Sequence, residues 1–354
     1  QWNGDTNTVV VTSGGQTTGN GDIQVHFLDV GQGDAALIND GEFEILIDAG
    51  VSAEGTKVVQ YLSDYVDGDL DVVVASHEDA DHIGGLPAVF DAYTIEEVVD
   101  NGRTSSTKTY QTYHNKVQAE GADYAADTAA QNITLPSGAT LEFLPITDVY
   151  DNANDNSVVT MLTYGDVEVL FTGDLSSDVA DANSSLFSDV DVLKAGHHGS
   201  RTSVSSQFLQ TTKPEYVVIS AGLDNSYGHP HEEALSAYLN TGADVYGTFR
   251  SGDIVMTTDG QQISFDTTEK LTLSDVGAKS NGTTPVQKPV TQSEQPSKPV
   301  AETTVTYVGN KNSKIFHRAS CSSVSRMKDS NKVSLNSRDA AISQGYRPCE
   351  NCQP

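Results

Sequence analysis

Apolar residues along this chain fall in short runs that end in glycine, aspartate or histidine, the pattern of buried strands alternating with covering helices. The run Val72-Val73-Val74-Ala75 predicts a buried strand, and Ile83 to Phe90 predicts the first turns of a helix. Upstream, Ile23 to Val30, Ala35 to Ile38 and Phe43 to Ile47 read as strands, with turns at Gly31-Gln32-Gly33-Asp34 and Asn39-Asp40-Gly41, and Glu54 to Val66 reads as a helix. Downstream, Ser157 to Tyr164 and Val167 to Thr172 predict a hairpin turning at Gly165-Asp166. Asp189 to Ala195 and Tyr216 to Ala221 predict further strands, with a helix ending near Asn240. Ala243 to Phe249, Ile254 to Thr258 and Gln262 to Asp266 predict short strands. Strands and helices alternate in two halves, which implies an α/β layered domain over residues 23–266.

The flanks differ in composition. Residues 1–22 are rich in Gly, Thr, Asn and Ser and read as a flexible lead-in. Residues 267–303 are rich in Ser, Thr, Pro, Gln and Lys and read as an extended linker. Residues 304–354 form a small basic segment: eight Lys and Arg against three Asp and Glu give +5, so the rest of the chain carries -34 of the total of -29. So acidic a chain repels nucleic acid unless positive charge or metal is focused locally. No run of apolar residues reaches the length that spans a bilayer. The chain begins at Gln1 and shows no signal-like segment, which reads as a processed form. All three cysteines lie beyond residue 320. A cysteine-free main domain suits an extracellular or cell-surface protein without a disulfide framework, and the tail becomes the place for a metal.

The densest chemistry is Ser76-His77-Glu78-Asp79-Ala80-Asp81-His82, two histidines and two aspartates where the predicted strand turns into a helix. Two divalent cations about 3.5–4 Å apart acidify a shared water, and the resulting hydroxide attacks phosphorus while the cations screen its oxygens. Such a site needs ligands from several strand ends and a bridging carboxylate. Asp174 suits the bridge, because it ends the apolar run Leu170-Phe171-Thr172 and Gly173 permits close approach. His229 is the candidate proton donor to a leaving alkoxide, and Asn156 a weak ligand or a hold on a phosphate oxygen. His26, His114 and His231 are read as structural. Gly31-Gln32-Gly33 is read as a tight turn and not as a phosphate cradle.

Asp48 after a strand, His77-x-Asp79-x-Asp81-His82, Gly173-Asp174 and His197-His198-Gly199-Ser200 occur in the order of the metallo-β-lactamase superfamily, which this chain resembles over residues 23–266. Leu28-Asp29-Val30-Gly31-Gln32-Gly33-Asp34-Ala35, Asn156-Ser157-Val158-Val159 and Tyr227-Gly228-His229-Pro230-His231 resemble one branch, the hydrolase domain of the DNA-uptake (competence) protein ComEC. The resemblance implies a four-layer αβ/βα sandwich with the metal site at the sheet edges. It implies His77 and Asp79 on one metal, Asp81, His82 and His198 on the other, and Asp174 between them. His198 is preferred to His197 because His-x-Ser is the superfamily pattern, which leaves His197 facing substrate or supporting ligands from behind. Asp48 orients ligands from behind. Asp79 stands where most members have histidine, and Asp151 to Ser157 offers no further histidine, so the two ions are zinc or manganese.

The tail places His317 and Cys321 ahead of Cys349-x2-Cys352, a set for one structural zinc. The segment resembles the metal-binding domain of the Ada DNA-repair protein, with His317 at the position of that domain's methyl-accepting cysteine, so zinc binding carries over and methyl transfer does not. The sequence thus predicts an extracellular metal-dependent phosphodiesterase, a nuclease acting on DNA. The alternatives are a phosphodiesterase on cell-wall phospho-polymers such as teichoic acid, a non-catalytic polyanion-binding protein and, behind these, a β-lactamase. The partner is accordingly nucleic acid or an anionic wall polymer. The oligomeric state is not encoded in any motif.

Overall fold

The computed structural model describes residues 21–66, 68–126, 132–280, 307–311, 314–318, 324, 332–335, 341 and 346–348. The flexible lead-in over 1–20, the linker from 281 onward, and Cys321, Cys349 and Cys352 lie outside the described residues. The chain divides into two compact units, Gln1–Gln287 and Lys288–Pro354.

The first half of the large unit runs β1 (Ile23–Phe27), β2 (Ala36–Asn39), β3 (Glu44–Ile47), α1 (Gly55–Leu62), β4 (Leu70–Ala75), α2 (Ala80–Ile83), α3 (Leu86–Ala92), β5 (Ile95–Asp100), α4 (Lys108–Glu120) and β6 (Asp123–Ala126). The second half runs β7 (Ile133–Thr134), β8 (Thr140–Leu144), β9 (Val159–Tyr164), β10 (Val167–Phe171), α5 (Ser177–Ala182), β11 (Val192–Lys194), α6 (Ser206–Thr212), β12 (Tyr216–Ile219), α7 (Glu232–Thr241), β13 (Asp244–Gly247), α8 (Thr248–Ser251), β14 (Ile254–Thr258) and β15 (Ile263–Phe265). Among the described residues they build an eight-stranded sheet in the order β15-β14-β1-β2-β3-β4-β5-β6 and a seven-stranded sheet in the order β13-β12-β11-β10-β9-β8-β7.

The period-2 alternation of each strand divides its apolar residues between two layers. On β4, Val72 and Val74 join Phe27, Ile45, Leu141, Val169 and Phe171 in the core between the sheets. Val73 and Ala75 face the other way, against Val58, Leu62, Val89 and Tyr113 of the covering helices. On the second sheet, Leu170, Leu193 and Val217 pack on Phe208, Leu235 and Tyr238 of α6 and α7. The result is the expected helix–sheet–sheet–helix arrangement.

In each sheet an antiparallel hairpin leads into parallel strands: β3, β4, β5 and β6 are mutually parallel neighbours, as are β10, β11, β12 and β13. Parallel strands send their carboxyl ends to one edge, where loops can converge. The β1–β2 loop reaches the same edge as the end of β3, because Ala36 pairs with Ile47. The predicted strand Ala243 to Phe249 is corrected at its end: the chain turns helical at Thr248.

The domain boundary at Asp266 is also corrected. Residues beyond it pack on the second sheet, with Leu271 and Ala278 buried. The Leu271 amide donates to the Val245 carbonyl at 2.7 Å. A 3-10 segment, Leu273–Ala278, is closed by a Thr272–Asp275 capping box, and Arg250 donates to Asp275 at 2.7 Å. The Ser/Thr-rich composition concealed those few apolar anchors.

In the small unit, β16 (Tyr307–Asn310), β17 (Ile315–Arg318), β18 (Lys332–Leu335) and β19 (Arg347–Pro348) form a sheet in the order β18-β16-β17-β19. Phe316, Leu335, Ala341 and Tyr346 make its apolar core. His317, the next residue along β17, is buried with no hydrogen-bond partner for Nδ1 among the described residues.

Candidate metal centre

His77, Asp79, Asp81, His82, Asp174 and His198 sit just past the carboxyl ends of parallel strands. After β4 the chain gives Ser76 and His77, then α2 carries Asp81 and His82 on its first turn. Ligands must face one point while the intervening residue turns away, and Glu78 does so, accepting from Asn101 Nδ2 at 3.1 Å. After β3 comes Asp48, at φ 58°, a left-handed conformation that aspartate tolerates better than most residues. After β10, Gly173 at φ 52° brings the chain against Ser157, where an added Cβ would lie 2.8 Å from the Ser157 side chain. That close approach delivers Asp174. After β11, His197 and His198 are both left-handed, at φ 48° and 56°. Two consecutive residues in this strained region bring both rings to Asp174, His198 buried and His197 partly exposed.

The inward ring is His198. Its Nε2 lies 3.3 Å from Asp81 Oδ2 and 3.6 Å from Asp174 Oδ2. His82 Nε2 lies 3.3 Å from Asp174 Oδ1, and the His77 and His82 ring centroids are 4.1 Å apart. His77 Nε2, His82 Nε2, His198 Nε2 and Asp174 Oδ1 are all buried, and none has a hydrogen-bond partner among the described residues. Four buried polar atoms that face one another without partners are unfavourable unless something occupies the space between them. The donor atoms group as His77–His82–Asp174, Asp81–His82–His198 and Asp34–Asp174–His198, each within 4.8 Å. Asp79 is the outermost expected ligand: its side chain is 48% exposed, with Oδ2 3.7 Å from His77 Nε2. His197 is 28% exposed, with Nε2 3.5 Å from Asp174 Oδ2.

Behind the ligands stands a layer of hydrogen bonds. Asp48 accepts from the Ser76 amide at 2.8 Å, from Ser76 Oγ at 2.6 Å and from His82 Nδ1 at 2.8 Å. His82 thereby turns Nε2 toward the centre, the support expected of Asp48. A matching pair went unread in the sequence: Asp34 Oδ1 holds His198 Nδ1 at 3.0 Å, and Asp34 Oδ2 holds Lys194 Nζ at 2.8 Å.

The charges fit a cation. Asp34, Asp48, Asp81 and Asp174 converge here, and Lys194 is the one Lys or Arg paired with any of them among the described residues. In the protein alone the imidazoles answer the carboxylates. Burial opposes charge on His198, yet Asp174 and Asp34 raise its pKa to about 10. Burial likewise opposes charge on His82, and Asp174 and Asp48 overcome it, holding the pKa well above the ordinary value. Asp174, against its own desolvation, is held well below the carboxylate range by His82 and His198. His77 goes the other way, lowered by burial and then by His82.

One expected role is corrected. The Asn156 side chain accepts from the Tyr150 amide at 2.9 Å and donates to the Tyr150 and Asn152 carbonyls at 3.1 and 2.6 Å. Its amide is committed to its own loop, and it is the neighbouring Asn154 that reaches His197, at 3.4 Å. His229 is buried beside the cluster, its ring 5.5 Å from that of His197. Burial and then the charge of His198 pull its pKa down to about 3. His26, His114 and His231 stay outside the cluster. His26 Nδ1 pairs with the Tyr61 hydroxyl at 2.8 Å, His114 stacks on Tyr110, and His231 Nδ1 accepts from the Arg201 amide at 3.1 Å.

The chain is similar in sequence to known proteins. The family model of the metallo-beta-lactamase superfamily matches residues 28–222, and that of the metal binding domain of Ada matches residues 297–354. Recombination protein 2 of Haemophilus influenzae is 30% identical over 235 residues, covering 65% of this chain and 28% of that protein. ComE operon protein 3 of Bacillus subtilis is 28% identical over 255 residues, 65% of this chain and 32% of that protein. Competence protein ComA of Neisseria gonorrhoeae is 33% identical over 232 residues, 63% of this chain and 30% of that protein. The chain spans about a third or less of the length of these relatives.

Proposed function

The chain belongs to the metallo-β-lactamase superfamily, and on that premise we propose that it is a metal-dependent phosphodiesterase that cleaves DNA, working outside the cell or at its surface. The observation that carries the reading is the convergence of the buried, unpartnered atoms of His77, His82, His198 and Asp174. They suit two divalent ions, zinc or manganese, with Asp79 and Asp81 completing the set. Bound there, such ions acidify a water and screen the charge of a phosphate. The chain's own residues do the rest. Asp48 keeps the His82 Nε2 lone pair directed inward. Asp174, within 3.6 Å of three imidazoles, would suit the bridging carboxylate. The neutral His229 and the partly exposed His197 line the mouth and offer hydrogen bonds to phosphate oxygens.

Two features favour a nucleic acid. The relatives are named as recombination and competence proteins. Tyr227, 63% exposed, stacks on His229 with centroids 5.7 Å apart and planes 24° apart, a ring at the mouth on which a base can rest. A main domain without cysteine suits the extracellular setting. In the tail, His317 with its bare Nδ1 suits the structural zinc, and the +5 charge suits a polyanion. That charge fits teichoic acid as well as DNA, which keeps wall-polymer hydrolysis as the second reading.

The test is purified full-length protein, loaded with zinc or manganese, against plasmid, single-stranded DNA and wall teichoic acid, with Asp174→Ala and His82→Ala as controls. Cleavage of DNA that both variants abolish is expected. Cleavage of teichoic acid alone transfers the function to the wall polymer, and binding without cleavage leaves a polyanion-binding protein.

A further inference from the structure

We propose that Lys194 is a positioning residue of this centre: through Asp34 it fixes which nitrogen of His198 faces the ligands. The proposal rests on His198 being a metal ligand.

Lys194 ends β11, and it is an anomaly in its strand. Val192 faces the core between the sheets and Leu193 faces the helices, so alternation returns Lys194 to the core side. A lysine there is only 4% exposed. An ammonium so deep is unfavourable unless it is paired and hydrogen-bonded. It is both: Nζ donates to Asp34 Oδ2 at 2.8 Å and to the Ala195 carbonyl at 3.0 Å.

Asp34 is clamped on its other sides too. Its amide donates to the Asp81 carbonyl at 3.1 Å, and its carbonyl accepts from the Gly50 amide at 2.8 Å. With Oδ2 held by the ammonium, Oδ1 is presented to His198 Nδ1 at 3.0 Å. The other atom near Nδ1 is the Ser220 carbonyl oxygen at 3.2 Å. Both neighbours are acceptors, so Nδ1 carries a hydrogen and Nε2 is the nitrogen turned to the centre. That Nε2 is one of the unpartnered atoms of the centre.

Asp34, Asp48, Ser76, Gly173 and Lys194 line one small cavity beneath the ligands. Two carboxylate–imidazole pairs meet there, Asp48 with His82 and Asp34 with His198. The first is completed by a neutral serine, the second by a full positive charge from the opposite half of the domain. Without Lys194, Asp34 Oδ2 loses its fixed partner, the carboxylate is free to rotate, and His198 loses the contact that sets its ring. Partners that orient a metal-bound histidine are worth about 10- to 100-fold in metal affinity.

The test uses the full chain carrying Lys194→Met, Lys194→Arg, Asp34→Asn, and the double variant, with Lys194→Gln in reserve if methionine prevents folding. Each is loaded with Co(II) for its absorption spectrum and titrated with zinc against a chromophoric chelator, and the metal-free forms are unfolded in urea. Lys194→Met and Asp34→Asn are each expected to weaken main-site zinc binding about tenfold or more and to alter the Co(II) spectrum. The double variant should be no weaker than Asp34→Asn, because the lysine acts through the aspartate, and Lys194→Arg should recover most of the loss. Metal in the tail contributes equally to every variant. If Lys194→Met lowers only the urea midpoint, with affinity and spectrum as in the parent, Lys194 is a fold staple and the proposal fails. If the double variant is a further tenfold weaker than Asp34→Asn, the lysine does not act through Asp34, and the proposal fails again. An Asp174→Ala variant that keeps all its zinc would overturn the metal-centre reading itself.

Discussion

Substituting alanine for Gly85 tests how the ligand helix is seated. Gly85 has φ -81°, an ordinary backbone for any residue, so the substitution carries no conformational strain of its own. The obstacle is steric: an added Cβ would lie 2.1 Å from the Ala49 carbonyl oxygen and 3.2 Å from the Ala49 side chain. Relief requires the two turns to separate by about 1 Å, given normal carbon–oxygen contacts of about 3.3 Å. Two backbone bonds cross that gap: Ala49 amide to His82 carbonyl at 2.8 Å and Gly85 amide to Gly50 carbonyl at 2.9 Å. Stretching them forfeits about 1 kcal/mol each, and overpacking adds about 1–3 kcal/mol, so unfolding free energy should fall by about 3–5 kcal/mol. The same shift separates Asp48 from His82, now 2.8 Å apart. A misplacement of about 1 Å at a catalytic centre lowers turnover by about a hundredfold. Urea unfolding of the metal-free protein and zinc titration of the folded variant measure the two effects. A Gly85→Ala protein with parental stability and zinc affinity would show that the turns are not seated as the structure has them.

Asp48→Asn keeps a side chain that tolerates φ 58° but turns an amide N–H toward His82 Nδ1; zinc affinity should fall about 10- to 100-fold, and an unchanged titration curve would remove Asp48 from the orienting role. His26 is buried and its pKa is lowered by desolvation to about 4. The unfolded chain therefore takes the proton first: the contribution of His26 is complete above pH 6.5 and is lost as pH falls toward 4. The loss is about 3 kcal/mol at 1.36 kcal/mol per unit, and urea midpoints across that window should slope less in His26→Gln than in the parent; equal slopes would contradict it. Tyr227→Ala should raise KM for an oligonucleotide about tenfold, as loss of one base stack does, while leaving methyl nitrophenyl phosphate unaffected; equal effects on both would deny a base platform. His317→Ala should release metal from the tail and leave main-domain zinc in place, as read by metal analysis after gel filtration; a full metal complement would exclude His317 as a ligand.

Most of the centre was legible because its signals are local. His77, Asp81 and His82 crowd one strand end, and Asp174 follows an apolar run through a glycine. The orphaned atoms of the folded site belong to those residues and His198. Local sequence is a weaker guide where it underdetermines direction. His197 and His198 are chemically identical neighbours, the resemblance alone preferred His198, and the fold buries His198 and leaves His197 partly exposed. Asn156 looked like a ligand because asparagine has the donors, but the backbone of its own loop uses them. Helix α4 escaped notice because only Tyr110, Tyr113 and Val117 of its thirteen residues are buried.

Asp34 and Lys194 were missed for a different reason. They are 160 positions apart, and no periodicity links them. Yet one half of the signal was present: a lysine inside the apolar run Val192-Leu193-Lys194-Ala195 contradicts the strand that the run predicts. A charge that a strand pattern cannot accommodate must find a counter-charge in the fold. Here the counter-charge lies in the loop between β1 and β2, at the edge to which parallel topology brings every ligand. The anomaly in the pattern and the position of the metal centre are therefore two aspects of one requirement. The fold admits a buried ammonium where it also gathers an excess of buried carboxylates, and that excess suits a bound cation.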